Sequence, residues 1–97
     1  MNKLWEELVA KCKEKGIKVK LIDPDVLKDF GGMNDLTAKK FGFHPKKMKP
    51  KTIYVDNSLS QNDQNETLAH EMWERYKIST GMEYWPAHIE ALRKENR

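Results

Sequence analysis

The sequence predicts an α+β domain built from an N-terminal helix, a short mixed sheet, a long helix and a C-terminal helix. Three observations carry this. Apolar residues recur with a helical period near both ends of the chain, they alternate with a period of two in two short runs between, and a capping signature opens the longest helical stretch. The chain has 97 residues, enough for one domain, residues 1–97, that buries roughly two-thirds of the surface its unfolded form exposes. With 38% hydrophobic and 34% charged residues, the core is thin and the surface densely charged.

Asn2 stands where a helix cap is needed. Leu4, Trp5, Leu8, Val9 and Cys12 follow at helical spacing and Gly16 supplies the stop, so the first helix covers about residues 3–15. Trp5 and Cys12 read as core. A lone cysteine on an apolar stripe packs as a small hydrophobe, and one cysteine excludes an intramolecular disulfide. Ile17, Val19 and Leu21 alternate with Lys18 and Lys20, a half-buried strand. Asp23-Pro24 ends it and starts a short helix, with Asp as cap and Pro in the first turn. Val26, Leu27 and Phe30 form that helix's buried side, and Gly31-Gly32 stops it.

From Met33 to Pro50 the signals conflict. Leu36, Ala38 and Phe41 suit a strand or a brief helix, whereas Gly42, Pro45 and Pro50 break either one. Lys51 to Asp56 is the second clear strand, with Ile53 and Val55 facing one way and Thr52 and Tyr54 the other. Ser60 and Asp63 form a capping box for a long helix over about residues 61–79, closed by Gly81. Pro86 suits the first turn of a last helix that carries Ile89, Ala91 and Leu92 inward, and Asn96-Arg97 frays.

The net charge of +3 conceals an asymmetry: six lysines and no acid lie between Ala38 and Thr52, so the rest of the chain sums to −3. Lysines and aromatics interleave there, a pattern that suits contact with a nucleic-acid backbone. A solvated loop or a lysine-guarded sheet edge is the commoner origin of such a run and is the preferred reading. No apolar run approaches the length of a membrane span, and the first residues lack the apolar region of a signal peptide. A cytoplasmic protein is therefore expected, with no membrane partner; assembly into a homo-oligomer stays open.

Chemistry concentrates in His70-Glu71-Met72-Trp73-Glu74. On a helix, His70 and Glu74 share a face one turn apart, about 5–6 Å between Cβ atoms. A neutral imidazole and a carboxylate at that spacing make half of a zinc site. His88, downstream, completes a two-His, one-Glu ligand set with a fourth position open, the set of a catalytic Zn2+ site. Glu71 directly follows the first ligand, where the general base stands in the H-E-x-x-H helix of zinc peptidases. The plainer alternative is a solvated helix face with ordinary charges. It sits poorly with Leu68, Met72 and Tyr76, which put the His/Glu pair at the border of a buried stripe.

Strand, turn, capped helix bearing His-Glu-x-x-Glu, then a His opening the next helix: in this order the chain resembles the zincin-like metallopeptidases, in particular their smallest, minimal gluzincin-type members. The matching text is Thr52-Ile-Tyr-Val-Asp-Asn-Ser-Leu-Ser60, Glu66-Thr-Leu-Ala-His-Glu-Met-Trp-Glu74 and Trp85-Pro-Ala-His-Ile89, within about half of the chain. The chain departs from most zincins in having Glu74 where they have His, and His88 where gluzincins have Glu. The resemblance implies a zinc metallopeptidase with Glu71 as base, acting on a peptide or protein. It also implies that the strand before the active-site helix is an exposed sheet edge, so that Thr52, Ile53, Tyr54 and Val55 hold an extended peptide. Tyr76, Tyr84 and His44 are the oxyanion-donor candidates, and Asp56 and Glu83 the candidates for orienting the His ligands. Two other readings compete: a non-catalytic zinc-binding module on the same fold, and a small basic nucleic-acid-binding protein resting on residues 39–51.

Overall fold

In the computed structural model, residues 3–28, 30–42 and 48–95 are described. Along the chain they form α1 (Lys3–Glu14), β1 (Lys18–Ile22), α2 (Pro24–Leu27), β2 (Gly32–Asn34), α3 (Asp35–Lys40), β3 (Thr52–Asp56), α4 (Gln61–Ser79) and α5 (Tyr84–Glu95). The expected Asn2 cap, the His44 candidate and the fraying of Asn96-Arg97 lie outside the described residues. No helix among the described residues is long and apolar enough to cross a membrane.

Local chemistry sets the helix ends. Asp23 Oδ1 accepts from Asp25 N at 2.8 Å with Pro24 behind it, and Ser60 Oγ accepts from Asp63 N at 3.2 Å. Each satisfies an amide that the first turn would leave bare. Gly81, at φ +104, supplies the left-handed step that ends the turn after α4. The stretch with conflicting signals holds β2 and α3, joined through Asn34, whose Oδ1 accepts from Thr37 N at 2.9 Å.

The three strands run in the order β1-β3-β2, with β1 parallel and β2 antiparallel to β3. β3 is therefore central, and all five of its residues are buried. This corrects the expectation that Thr52, Ile53, Tyr54 and Val55 form an exposed edge: strands on both sides leave no ladder free for a peptide. Ile53 and Val55 pack with Trp5, Cys12 and Leu68 in one core, under α1 and α4. Tyr54 turns to the other face, with Leu27, Met33, Ala38 and Met48. The alternation expected for this strand holds, but both of its faces are covered.

α5 corrects a second expectation. Ala91 is buried, but Ile89 and Leu92 are 48% and 40% exposed. Tyr84, Ala87 and Ala91 make the inward stripe instead. Two alanines let α5 lie close on α4, where larger residues would hold the helices apart.

Register decides what α4 meets. In the antiparallel pair, Gly32 stands opposite Val55 and Asn34 opposite Ile53, while Met33 stands opposite Tyr54. Partners across a ladder share a face, so Gly32 and Asn34 look toward α4 and Met33 away from it. The approach at Gly32 is tight: a Cβ there would lie 2.6 Å from Thr67 Cγ2, 3.1 Å from Tyr54 O and 3.2 Å from Glu71 Cγ. Gly32→Ala is expected to destabilise the protein by about 1–3 kcal/mol through overpacking, read as a lower urea midpoint at unchanged slope. An unaltered midpoint would mean that β2 and α4 are not held this close.

Candidate metal centre

α4 turns three titratable side chains into the interior: His70, Glu71 and Glu74 are all buried. An unpaired carboxylate there would be costly, and Glu74, 1% exposed, shows how the cost is met. Its Oε1 accepts from Thr37 Oγ1 at 2.8 Å and from Asn34 Nδ2 at 3.4 Å. Its Oε2 lies 2.8 Å from His88 Nδ1 and 3.1 Å from His70 Nε2. Burial pushes this carboxyl upward, but the hydrogen bonds from His70, His88 and Thr37 outweigh it and hold the group below the usual carboxylate range.

Glu71 is placed differently. Its Oε1 accepts from Asn34 Nδ2 at 2.9 Å, and its Oε2 stands 4.0 Å from His70 Nε2. Burial first, and then the charge of Glu74, push the Glu71 carboxyl up to about 8; His70 and Asn34 oppose the rise without cancelling it. Without a cation, then, one carboxylate of the pair is ionised and the other holds its proton at neutral pH. Two anions this close do not both ionise cheaply.

His70 Nε2, Glu74 Oε2 and His88 Nδ1 form a group that could hold a metal ion. Their separations are 2.8, 3.1 and 3.3 Å. Ligand atoms about 2.1 Å from a metal lie roughly 3.0 Å apart at octahedral angles and roughly 3.4 Å apart at tetrahedral ones. Two of the three separations fall in that range and the third lies just under it, and the two nitrogens and one carboxylate oxygen suit a first-row divalent ion. They border a cavity of about 220 Å³, whose lining also includes Gly32, Thr37, Thr67 and Tyr84.

Of the oxyanion candidates, Tyr84 reaches this cavity and Tyr76 does not. The Tyr84 ring stacks on His88 with centroids 5.3 Å apart, and its hydroxyl lies 3.4 Å from His88 Nδ1. Burial, then the charges of Glu74 and Glu71, push its phenol up to about 12, so it remains a donor. Tyr76 points to the other side of α4, 49% exposed. Asp56 accepts from Ser58 N and Oγ at the end of β3, and Glu83 is exposed. Neither lines the cavity.

The residues that orient the carboxylates are Asn34 and Thr37, which sequence reasoning missed. A signal was present: Asn34 before Asp35, with Lys39 and Lys40 following, is a cap, an acidic first turn and a basic last turn. One buried amide thus caps α3 with its oxygen and bridges two glutamates with its nitrogen. A second clamp lies one residue along, where Arg75 Nε and Nη2 donate to Asp35 Oδ1 and Oδ2 at 2.7 and 3.3 Å.

Two outcomes follow for solution measurements. Asn34→Leu keeps the branched shape of the side chain but removes the bridging donor, so metal affinity measured against a chromophoric chelator should fall about 10–100-fold; an unchanged affinity would make Asn34 a helix cap and nothing more. In metal-free protein, a Glu71 pKa raised from 4.5 to about 8 means that the folded state binds more protons than the unfolded state between those values. That contribution is present at low pH and is lost as pH rises through about 8. Wild type should lose stability relative to Glu71→Gln across that interval, and parallel curves would show that Glu71 titrates normally.

No family model, curated protein or solved structure matches the chain.

Proposed function

We propose that the chain is a zinc-dependent peptidase, with His70, Glu74 and His88 as ligands and Glu71 as general base. The observation that supports this is the position of the Glu71 carboxylate. One oxygen is held by Asn34, and the other stands 4.0 Å from His70 Nε2, beside the ligand atoms but not among them. A site that only holds a metal has no use for a second buried carboxylate, which adds to the cost of burial.

Bound there, a zinc ion would supply Lewis acidity, a water acidified toward a pKa of about 7 and a positive charge that favours ionised Glu71. Glu71 Oε2 takes the proton of the attacking water and delivers it to the leaving amine, while Asn34 fixes the other oxygen. Tyr84 O–H, which lines the cavity, is the donor for the oxyanion. β3 is paired on both sides, so the substrate reaches the ligands through the cavity, whose wall includes Gly32 of β2 and no residue of β3.

Size favours a second reading, a non-catalytic metal-binding module. The cavity of about 220 Å³ is smaller than the ~300 Å³ at which ligand pockets usually begin. Protein purified without a histidine tag, analysed for metal and incubated with a mixed peptide library read by mass spectrometry, separates the two. On the peptidase reading, Glu71→Gln keeps its zinc and loses cleavage by a factor of about 10²–10⁴, and His88→Ala loses the metal. Zinc bound by wild type without metal-dependent cleavage leaves the module. Zinc held equally well by His88→Ala sinks the ligand assignment itself.

A further inference from the structure

α4 has a face that serves neither the sheet nor the metal centre. Asn62, Glu66, Ala69, Trp73 and Tyr76 follow one another along it at spacings of four and three in turn, the seam against which another helix packs. α1 and α5 both pack on α4 and flank this seam. The groove between them has a volume of about 610 Å³, with Leu4 and Leu8 on the α1 side and Ala91 on the α5 side. Ala69 and Tyr76 stay exposed on its floor. From Asn62 to Tyr76 that floor runs for about 21 Å at 1.5 Å per residue, close to four helical turns.

Its charge is one-sided. Lys11 of α1, Lys15 just past its end and Lys94 of α5 border the groove, against Glu66. The ammonium of Lys94 lies 4.0 Å from the Trp73 ring centre, and those of Lys77 and Lys15 lie 4.9 Å from Trp73 and 5.7 Å from Tyr76. Three cations thus gather over the aromatic half of the seam. We propose that this groove docks an amphipathic helix of a partner protein, its apolar stripe on Ala69, Trp73 and Tyr76 and its bordering residues acidic. A second copy of the chain is the wrong occupant on charge. Its exposed apolar stripe, Trp85, Ile89 and Leu92 on α5, has Arg93 beside it and so lacks the acidic border that the groove's lysines favour.

The docking needs no metal or peptidase activity, although His70 borders both the groove and the metal centre, and full-length protein tests it. The probes are two tryptophan-free peptides of about 16 residues with one leucine seam, flanked by glutamate in one and by lysine in the other. Fluorescence anisotropy is expected to show the glutamate peptide binding at least about tenfold more tightly, with the difference collapsing between about 50 mM and 500 mM salt. Ala69→Arg, at an exposed position, should abolish binding while circular dichroism and melting stay unchanged. Lys11→Glu with Lys15→Glu should reverse the preference. Equal binding of both peptides, binding of neither, or binding that survives Ala69→Arg would overturn the proposal. Dodecanoate binding with neither peptide bound would overturn it in favour of a small amphiphile.

Discussion

Most of this structure is arranged so that the Glu74 carboxylate can be ionised inside it. Burying an ion costs several kcal/mol unless partners replace the lost water, and Glu74 finds four. They come from separate pieces of chain: Asn34 at the end of β2, Thr37 in α3, His70 on its own helix and His88 on α5. Each of those pieces is held at the distance a hydrogen bond sets. Arg75 and Asp35 repeat the arrangement between α3 and α4 with better-exposed partners. Asp35 also accepts from Lys51 N, a residue kept at φ +51, so the left-handed entry into β3 is tied to the same helix. The polar network, more than the thin apolar core, thereby fixes how α3, α4 and α5 meet.

Sequence made the local parts legible and the convergent parts only in half. The capped long helix, the strand alternation at Ile53 and Val55 and the triad of His70, Glu74 and His88 each rest on short-range spacing, and they recur in the structure. Sheet order does not follow from spacing. β3 is central because a three-residue strand, β2, pairs on its far side, and three residues around Gly32 carry too little pattern to announce a strand. The inward face of α5 escaped for a related reason: hydrophobicity alone chooses Ile89 and Leu92, whereas close helix packing chooses Ala87 and Ala91. Asn34 and Thr37 lay in the stretch where signals conflict, and their role depends on a strand register that no local signal encodes.

The described part of residues 39–51 holds the end of α3 and the approach to β3 rather than a lysine-guarded strand; the outer strand that carries lysines is β1. β1 is the outer strand on its side of the sheet, and it exposes Lys18 and Lys20. Charged side chains on an outer strand oppose pairing with another chain. At the other edge β2 is short and ends in the cap of α3, so it offers little length for such pairing. The sheet thus limits edge-to-edge association by charge at one border and by brevity at the other.

The three ligand atoms belong to residues 4, 14 and 18 positions apart, all within the α4–α5 hairpin, while Asn34 and Thr37 are 37 to 40 positions away from the glutamates they serve. Closing the short span costs little chain entropy, so a hairpin formed ahead of the sheet already has every metal ligand within reach. A cation present during folding would select the order of events, hairpin first and strand docking later. The same locality limits its thermodynamic leverage, because affinity shared with a partly folded hairpin is affinity that cannot favour the complete fold.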